Sequence, residues 1–313
     1  MFLAPKLILA ALVAAGIFSK PSHAASYPLP PPGESIIGEL QQVAASETDT
    51  LVEMSRRHGL GYEELVLANP GVDRWLPGAG TTVLLPTRYI LPQAPREGIV
   101  VNIAEMRLYY FAPAQGKTPA RIVTFPVGVG RDDWKTPETA TRVSAKLTDP
   151  AWFPPPTIRR EHAARGDRLP AMVPAGPNNP LGRHVLKLAI GGGYYIHGTS
   201  RMYGIGMPVT HGCVRLYPED VEQLFKQVSV GTPVRIVNQP YKSAWRARVL
   251  YIEAHPDVAA DDPPDFAGLE SYLRAVLRRR QSYPVDWPGV QGVALHPRGV
   301  PMPVPIVTEA TRG

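Results

Sequence analysis

One cysteine, Cys213, stands in 313 residues. No disulfide can form within the chain, so the thiol is to be explained by packing, metal binding or nucleophilic chemistry. Long apolar runs are equally scarce. The segment Leu7 to Phe18 lies behind Lys6 and ahead of Lys20-Pro21 and Ser22-His23-Ala24. A bilayer span needs about twenty apolar residues, and this run is shorter, so residues 1–24 are expected to be a secretory signal peptide cut near Ala24. No cysteine follows the run, which argues against a lipid-modified N-terminus. Charge of one sign barely exceeds the other. Taking Lys6 and Lys20 from the 33 basic residues leaves 31 against 27 acidic, a formal +4. That balance suits an anionic surface without requiring one. No basic stripe with interleaved aromatics appears, so nucleic acid is not an expected partner. Internal repeats are absent too.

What is present in quantity is proline, with 36 residues that punctuate the chain at its connectors. Residues 25–40 open with ASYPLPPPGES and read as an extended lead-in without a core. From Gln41 to Pro86 the apolar spacing becomes helical, through Leu51, Met54 and Ser55 and then Leu65, Val66 and Ala68. Asn69-Pro70-Gly71 makes a turn and Thr82 to Leu85 a short strand. The expected order is strand, helix, helix, strand.

A mostly β unit follows. Gly98 to Ile103, Leu108 to Phe111 and Ile122 to Gly130 are β-branched or aromatic runs broken by turn residues. Further strands are expected at Thr141 to Lys146, Val185 to Leu188, Tyr194 to His197 and Pro233 to Val237. A helix should start at Pro218, carrying Val221, Leu224, Phe225 and Val228 on one face. Beyond it, 240–313 form a C-terminal extension. Phe266 to Arg280 reads as an amphipathic helix ending in three arginines that favour its dipole, and the last thirty residues as an extended or disordered Pro-rich tail.

The chemistry gathers around Cys213. A thiol becomes a nucleophile when its pKa falls or a base adjoins it, and imidazole is the usual base. His197 lies at a strand exit and Cys213 follows Gly212, so strand ends brought together would pair them. Backbone N–H groups near Gly212 and Cys213 could face a developing oxyanion. His197, His211 and Cys213 are also conceivable zinc ligands, but a fourth at metal-like spacing is missing. Read from its neighbours alone, Arg215 could pair with a nearby carboxylate such as Glu219 or Asp220. His58, His162, His184, His255 and His296 have no comparable context and are expected at the surface or core edge.

The runs His197-Gly198-Thr199 and Thr210-His211-Gly212-Cys213-Val214-Arg215 resemble the YkuD-type L,D-transpeptidase catalytic domain over about residues 97–239, together with Met172 to Gly182. Residues 41–88 resemble a LysM peptidoglycan-binding module through Thr48-Asp49-Thr50-Leu51, Glu64-Leu65, Ala68-Asn69-Pro70, Leu76-Pro77-Gly78 and Val83 to Pro86. Thr48 replaces the family's usual glycine. These resemblances imply a β-sandwich or barrel with a helix after the catalytic cysteine, plus a small α+β domain of βααβ order. They imply Cys213 as nucleophile and His197 as general base and acid. His211, Gly212 and Gly198 would support the site, with Gly198 lending a carbonyl to the imidazole, and Arg215, Thr210, Asn178 and Asn179 would meet substrate. They further imply a periplasmic, carbapenem-sensitive enzyme with neither metal nor cofactor. Its donor would be a peptidoglycan tetrapeptide stem, and its acceptor a diamino acid of another stem or the lysine of an outer-membrane lipoprotein. Water as acceptor would make it an L,D-carboxypeptidase, and loss of the chemistry a wall-binding protein.

Overall fold

The computed structural model describes residues 24–256, 266–278 and 284–307. The expected signal segment lies outside the described residues, except Ala24, as do Arg279 and Arg280. No helix among the described residues is long and apolar enough to cross a membrane.

The N-terminal part runs β1 (Ala25–Pro28), β2 (Ile36–Gly38), β3 (Gln41–Ala44), α1 (Leu51–Arg57), α2 (Tyr62–Ala68), β4 (Thr82–Leu85) and β5 (Arg88–Ile90). The expected βααβ order is present, with β3 and β4 paired antiparallel. Its core is Leu51, Met54, Leu60, Leu65, Val83 and Leu85. Thr50 caps α1 by accepting from the Glu53 N–H at 3.1 Å. Asn69 ties α2 to β4. Its Nδ2 donates to the carbonyls of Leu65 and Leu84 at 2.8 Å each, and its Oδ1 accepts from the Leu84 N–H at 2.7 Å. The lead-in differs from expectation. It is extended, but β1 is an edge strand paired with the later β8 (Arg121–Pro126), and Ala24 enters the main core. Proline is compatible with an edge, where an outward N–H need not join a ladder.

The next unit adds β6 (Gly98–Asn102), β7 (Arg107–Ala112), β8, β9 (Val129–Gly130), β10 (Thr139–Thr148), α3 (Pro156–Ala164), β11 (His184–Leu188), β12 (Tyr195–His197), β13 (Pro208–Thr210), β14 (Val214–Arg215), α4 (Pro218–Gln227) and β15 (Pro233–Val237). Every expected strand and the post-cysteine helix are found. Among the described residues, they form one nine-stranded sheet in the order β1-β8-β7-β6-β15-β10-β11-β12-β14, with β9 and β13 as a separate parallel pair. The mostly β expectation holds, and in place of a described sandwich or barrel the strands make one curled sheet whose two halves share a core of Ile99, Val101 and Leu108 with Leu186, Ile196 and Val214. Ile99, Val101, Leu108 and Tyr110 face one apolar cluster, shared with Val221 and Leu224 of α4. Val100, Tyr109 and Phe111 face the other, beneath Ile37 and Tyr89. Burial on both sides explains why these strands read as continuous apolar runs rather than alternations.

The extension contains β16 (Tyr241–Arg246), β17 (Val249–Ala254), α5 (Phe266–Leu277), α6 (Trp287–Leu295) and β18 (Met302–Pro303). The expectation of a structureless tail is corrected through residue 307. Leu250, Ile252, Leu269, Leu273, Val290, Ala294 and Val304 make a fourth core. Val290 and Ala294, four apart, turn one face of α6 inward, and Pro288 is tolerated in its first turn. So short a repeat between prolines and glycines carries little periodic signal.

A buried charge cluster joins the extension to the sheet. Lys242 Nζ donates to Glu105 at 2.5 Å and to the Ile90 carbonyl at 2.6 Å, and lies 2.7 Å from Glu253. His255, expected at the surface or core edge, is buried and bonds Glu253 at 2.7 Å. Glu105, Glu253 and His255 could hold a metal by proximity, but the Lys242 ammonium already sits between the two carboxylates. Removing one member of such a group leaves an uncompensated buried charge.

Asp220, in the first turn of α4, is buried and neither carboxylate oxygen has a hydrogen-bond partner. Burial first, and the nearby Glu219 next, push its pKa up to about 8, against the pull of Arg107. The folded protein therefore binds this proton more tightly than the unfolded chain, and stability falls as pH rises from about 4 to about 8. We predict that Asp220→Asn raises the melting temperature by a few degrees at pH 8 and by nothing at pH 4. Parallel melting curves of the two proteins across that range would overturn this.

Candidate active site

The site is built where β12 meets β14. These strands are parallel, with Ile196 beside Val214 and His197 beside Arg215, and the Leu216 N–H donates to the His197 carbonyl at 2.9 Å. Ile196 and Val214 point into the core. Strand alternation turns Tyr195, His197, Cys213 and Arg215 to the opposite face. Continuing the register back one residue sets Cys213 beside Tyr195, diagonal to His197. The sequence separation of thiol and imidazole is closed by one strand pairing.

His197 is buried, and its Nδ1 lies 2.5 Å from the Gly198 carbonyl. A carbonyl only accepts, so Nδ1 carries the proton and Nε2 is left as the basic nitrogen. The Leu181 carbonyl also faces the ring. Burial, and then the Arg215 charge, bring the imidazole pKa down to about 3 in spite of both carbonyls. His197 is neutral at physiological pH. Burial pushes the Cys213 thiol up, opposed by the Tyr195 backbone N–H and the Arg215 charge. The resting groups are therefore a neutral thiol and a neutral imidazole.

Thr210 and Gly212 shape the approach to the thiol. Thr210 Oγ1 donates to the Cys213 carbonyl at 2.6 Å and accepts the Gly212 N–H at 3.2 Å. Gly212 has φ of +94°, and a Cβ there would meet the Tyr194 ring at 2.8 Å, so only glycine fits. Two expectations shift. The Thr210 hydroxyl is spent in closing this turn. The Gly212 N–H is taken by that hydroxyl, whereas the Cys213 N–H has no acceptor among the described residues.

The two asparagines separate. Asn178 is exposed and Asn179 is buried. Asn179 Nδ2 donates to the carbonyls of Pro150 and Pro174 at 2.9 and 3.1 Å, and its Oδ1 accepts the Leu181 N–H at 2.9 Å. Its amide is used up inside the loop, so Asn179 acts on the backbone that carries the Leu181 carbonyl to His197 rather than on substrate.

Arg215 has no carboxylate within ion-pair distance among the described residues, and its Nε is buried without a partner. Of the pairings expected for it, Glu219 instead lies 3.7 Å from Arg56, and Asp220 is unpaired. Burial lowers the Arg215 pKa, Cys213 opposes the drop and the Arg201 charge adds to it.

His211 shows what sequence reading missed. Its Nε2 meets Glu161 of α3 at 2.9 Å, and the other Glu161 oxygen accepts from Arg131 at 2.6 Å. Trp134 packs edge-on against the His211 ring with centroids 5.1 Å apart, and His162 lies on its other side at 6.4 Å. Burial lowers the His211 pKa while Glu161 resists. Against burial, the hydrogen bonds from His211 and Arg131 hold Glu161 below the usual carboxylate range. Helix α3 escaped notice because Ile158 is its sole buried residue, which leaves almost no apolar period. We predict that Glu161→Gln slows thiol acylation about tenfold, the equivalent of one charge-assisted hydrogen bond. An unchanged acylation rate would show that His211 holds its place without it.

Parallel pairing of β12 and β14 thus brings the thiol's run next to the strand of a neutral imidazole, with a backbone N–H at the thiol and a guanidinium that find no partner among the described residues, the groups that acyl transfer through a cysteine requires. The comparisons agree. Residues 96–236 match the family model described as the L,D-transpeptidase catalytic domain, YkuD. The probable L,D-transpeptidase YcfS of Escherichia coli is 42% identical over 258 residues, covering 80% of this chain and 79% of that protein. The probable L,D-transpeptidase ErfK/SrfK of Salmonella typhimurium is 45% identical over 224 residues, 71% of each. The probable L,D-transpeptidase YbiS of Escherichia coli is 39% identical over 269 residues, 85% of this chain and 86% of that protein. The chain belongs to the L,D-transpeptidase family.

Proposed function

We propose that the protein is a peptidoglycan L,D-transpeptidase that works through a thioester on Cys213. The Cys213 proton passes to His197 Nε2 as sulfur attacks the carbonyl of the third, L-configured centre of a tetrapeptide stem. The oxyanion is received by the Cys213 N–H. Collapse breaks the amide bond, and the terminal D-alanine leaves with the proton returned from Nε2. An acceptor amine then attacks the thioester, gives up a proton to Nε2, and the thiol is regenerated. The neutral His197 beside Cys213 carries this reading. Arg215, without a carboxylate partner, would hold a carboxylate of the stem through its planar fork.

Residues 41–88 are assigned as a LysM-like module that meets glycan. The assignment is supported by the βααβ order and by Trp75 and Leu76, which are 69% and 66% exposed. The proposed setting is the periplasm. The acceptor is a lipoprotein lysine or a diamino acid of another stem, and water would give a carboxypeptidase. Intact-protein mass spectrometry after incubation with a tetrapeptide muropeptide, and separately with a carbapenem, tests the reading. It should find an adduct mapping to Cys213 and free D-alanine from the peptide. A folded protein that forms no adduct and releases no D-alanine would leave wall binding as the function.

A further inference from the structure

The connection from His197 to Cys213 does not stand alone. Its middle, Gly204 to Met207, lies against the βααβ module. The Tyr62 N–H donates to the Ile205 carbonyl at 3.4 Å and the Glu63 N–H to the Gly206 carbonyl at 3.2 Å. These are the first N–H groups of α2, which have no partners within the helix. Gly61 caps α2 without a side chain to satisfy them, so the loop carbonyls do so. The two backbones nearly touch. Gly206 has φ of +72°, and a Cβ placed there would fall 2.3 Å from Gly61 Cα and 2.5 Å from Tyr62 N. Met207 packs on the module core.

The path onward to the thiol is short. The Met207 carbonyl accepts from the Val129 N–H at 3.2 Å, β13 pairs with β9, and the Arg131 N–H holds the Thr210 carbonyl at 3.1 Å. Thr210 Oγ1 then bonds the Cys213 carbonyl. Helix α2 is itself fixed. Glu64 forms a buried ion pair with Arg107 of β7, and Arg298 of the extension donates to the Ala68 carbonyl at 2.6 Å.

We infer that α2 is a positioning brace for the nucleophile loop, so that the module sets the geometry of Cys213 and His197 independently of any glycan it binds. Gly206 and Met207 are its positioning residues. The inference deepens the acyl-transfer reading, and one of its measurements does not depend on that reading.

The test compares the full chain with Gly206→Ala, Met207→Ala and Gly71→Ala. Gly71 has φ of +87° and open space around it, so its variant carries the same backbone strain in the same module away from the loop. The first readout is the alkylation rate of Cys213 by iodoacetamide from pH 5 to 9. The second is kcat and KM on a soluble tetrapeptide that carries no glycan. Gly206→Ala should change the alkylation profile and lower kcat about tenfold or more, with KM within about twofold, since misplacing reacting groups costs rate before affinity. Met207→Ala, which adds no backbone strain, should move both readouts the same way by a smaller factor, and it decides the matter if Gly206→Ala fails to fold. Gly71→Ala should match the parent. Alkylation profiles of both loop variants superposing on the parent would overturn the brace. A parent that is alkylated but never releases D-alanine would sink the transpeptidase reading, leaving the alkylation profiles to decide the brace.

Discussion

Cys213→Ala should abolish D-alanine release and covalent adduct formation, with a fall of at least about a thousandfold in acylation rate. The argument is one of replacement. No second cysteine exists in the chain, and a thioester intermediate needs this sulfur. What survives is positioning and oxyanion stabilisation without a nucleophile, which in comparable enzymes leaves only a small residue of catalysis. The fold should be indifferent to the change. The thiol's one backbone partner is the Tyr195 N–H of β12, and the turn at 210–213 is held without it, by backbone and by Thr210. The expected pattern is an unchanged melting temperature with total loss of turnover, read by amino-acid analysis of released D-alanine. Turnover in the variant above background would remove Cys213 from the mechanism.

His197→Gln should cost about 10² to 10⁴ in acylation rate, the usual worth of a positioned general base. Its diagnostic is the pH profile. In the parent, the imidazole titrates at about 3 because of burial and the Arg215 charge, so the base is available across the neutral range and the rate should not fall near pH 6.5. In the variant, the thiol must ionise without help, and burial has raised its pKa. The variant's rate should therefore climb about tenfold per pH unit through neutrality, while the parent's stays nearly level. Stopped-flow acylation at several pH values separates the two. A variant with a level profile would mean that another group takes the thiol proton.

The sequence reading succeeded where an element's own residues carry its signal. The runs at Gly98 to Ile103 and Ile122 to Gly130 were legible as unbroken β-branched and aromatic stretches because both faces are buried, and the helix behind Pro218 because one buried face imposes a helical period. The meeting of the strand ends that carry His197 and Cys213 was also legible, since each lies next to a glycine at a strand end. Legibility failed where meaning depends on a distant partner. The lead-in becomes a strand only because β8 offers an edge about a hundred residues later. Glu161 matters only because α3 brings it to His211, across a loop whose length carries no pattern. The expected substrate contacts Thr210 and Asn179 prove to be backbone ties, a distinction drawn by hydrogen-bond accounting and not by residue type.

Lys242 carries one more consequence, in the order of events as the chain is made. Glu105, in the turn between β6 and β7, is buried with its carboxylate turned toward a cation that arrives 137 positions later in the sequence. A ribosome releases the nucleophile, its base and every strand of the main sheet before it supplies that countercharge. Until then the completed sheet can bury this carboxylate only without its countercharge, and its most compact arrangement is disfavoured. Maturation of the reactive thiol is thereby tied to completion of the chain, and a product cut short before residue 242 would display the whole catalytic motif on a scaffold unable to settle.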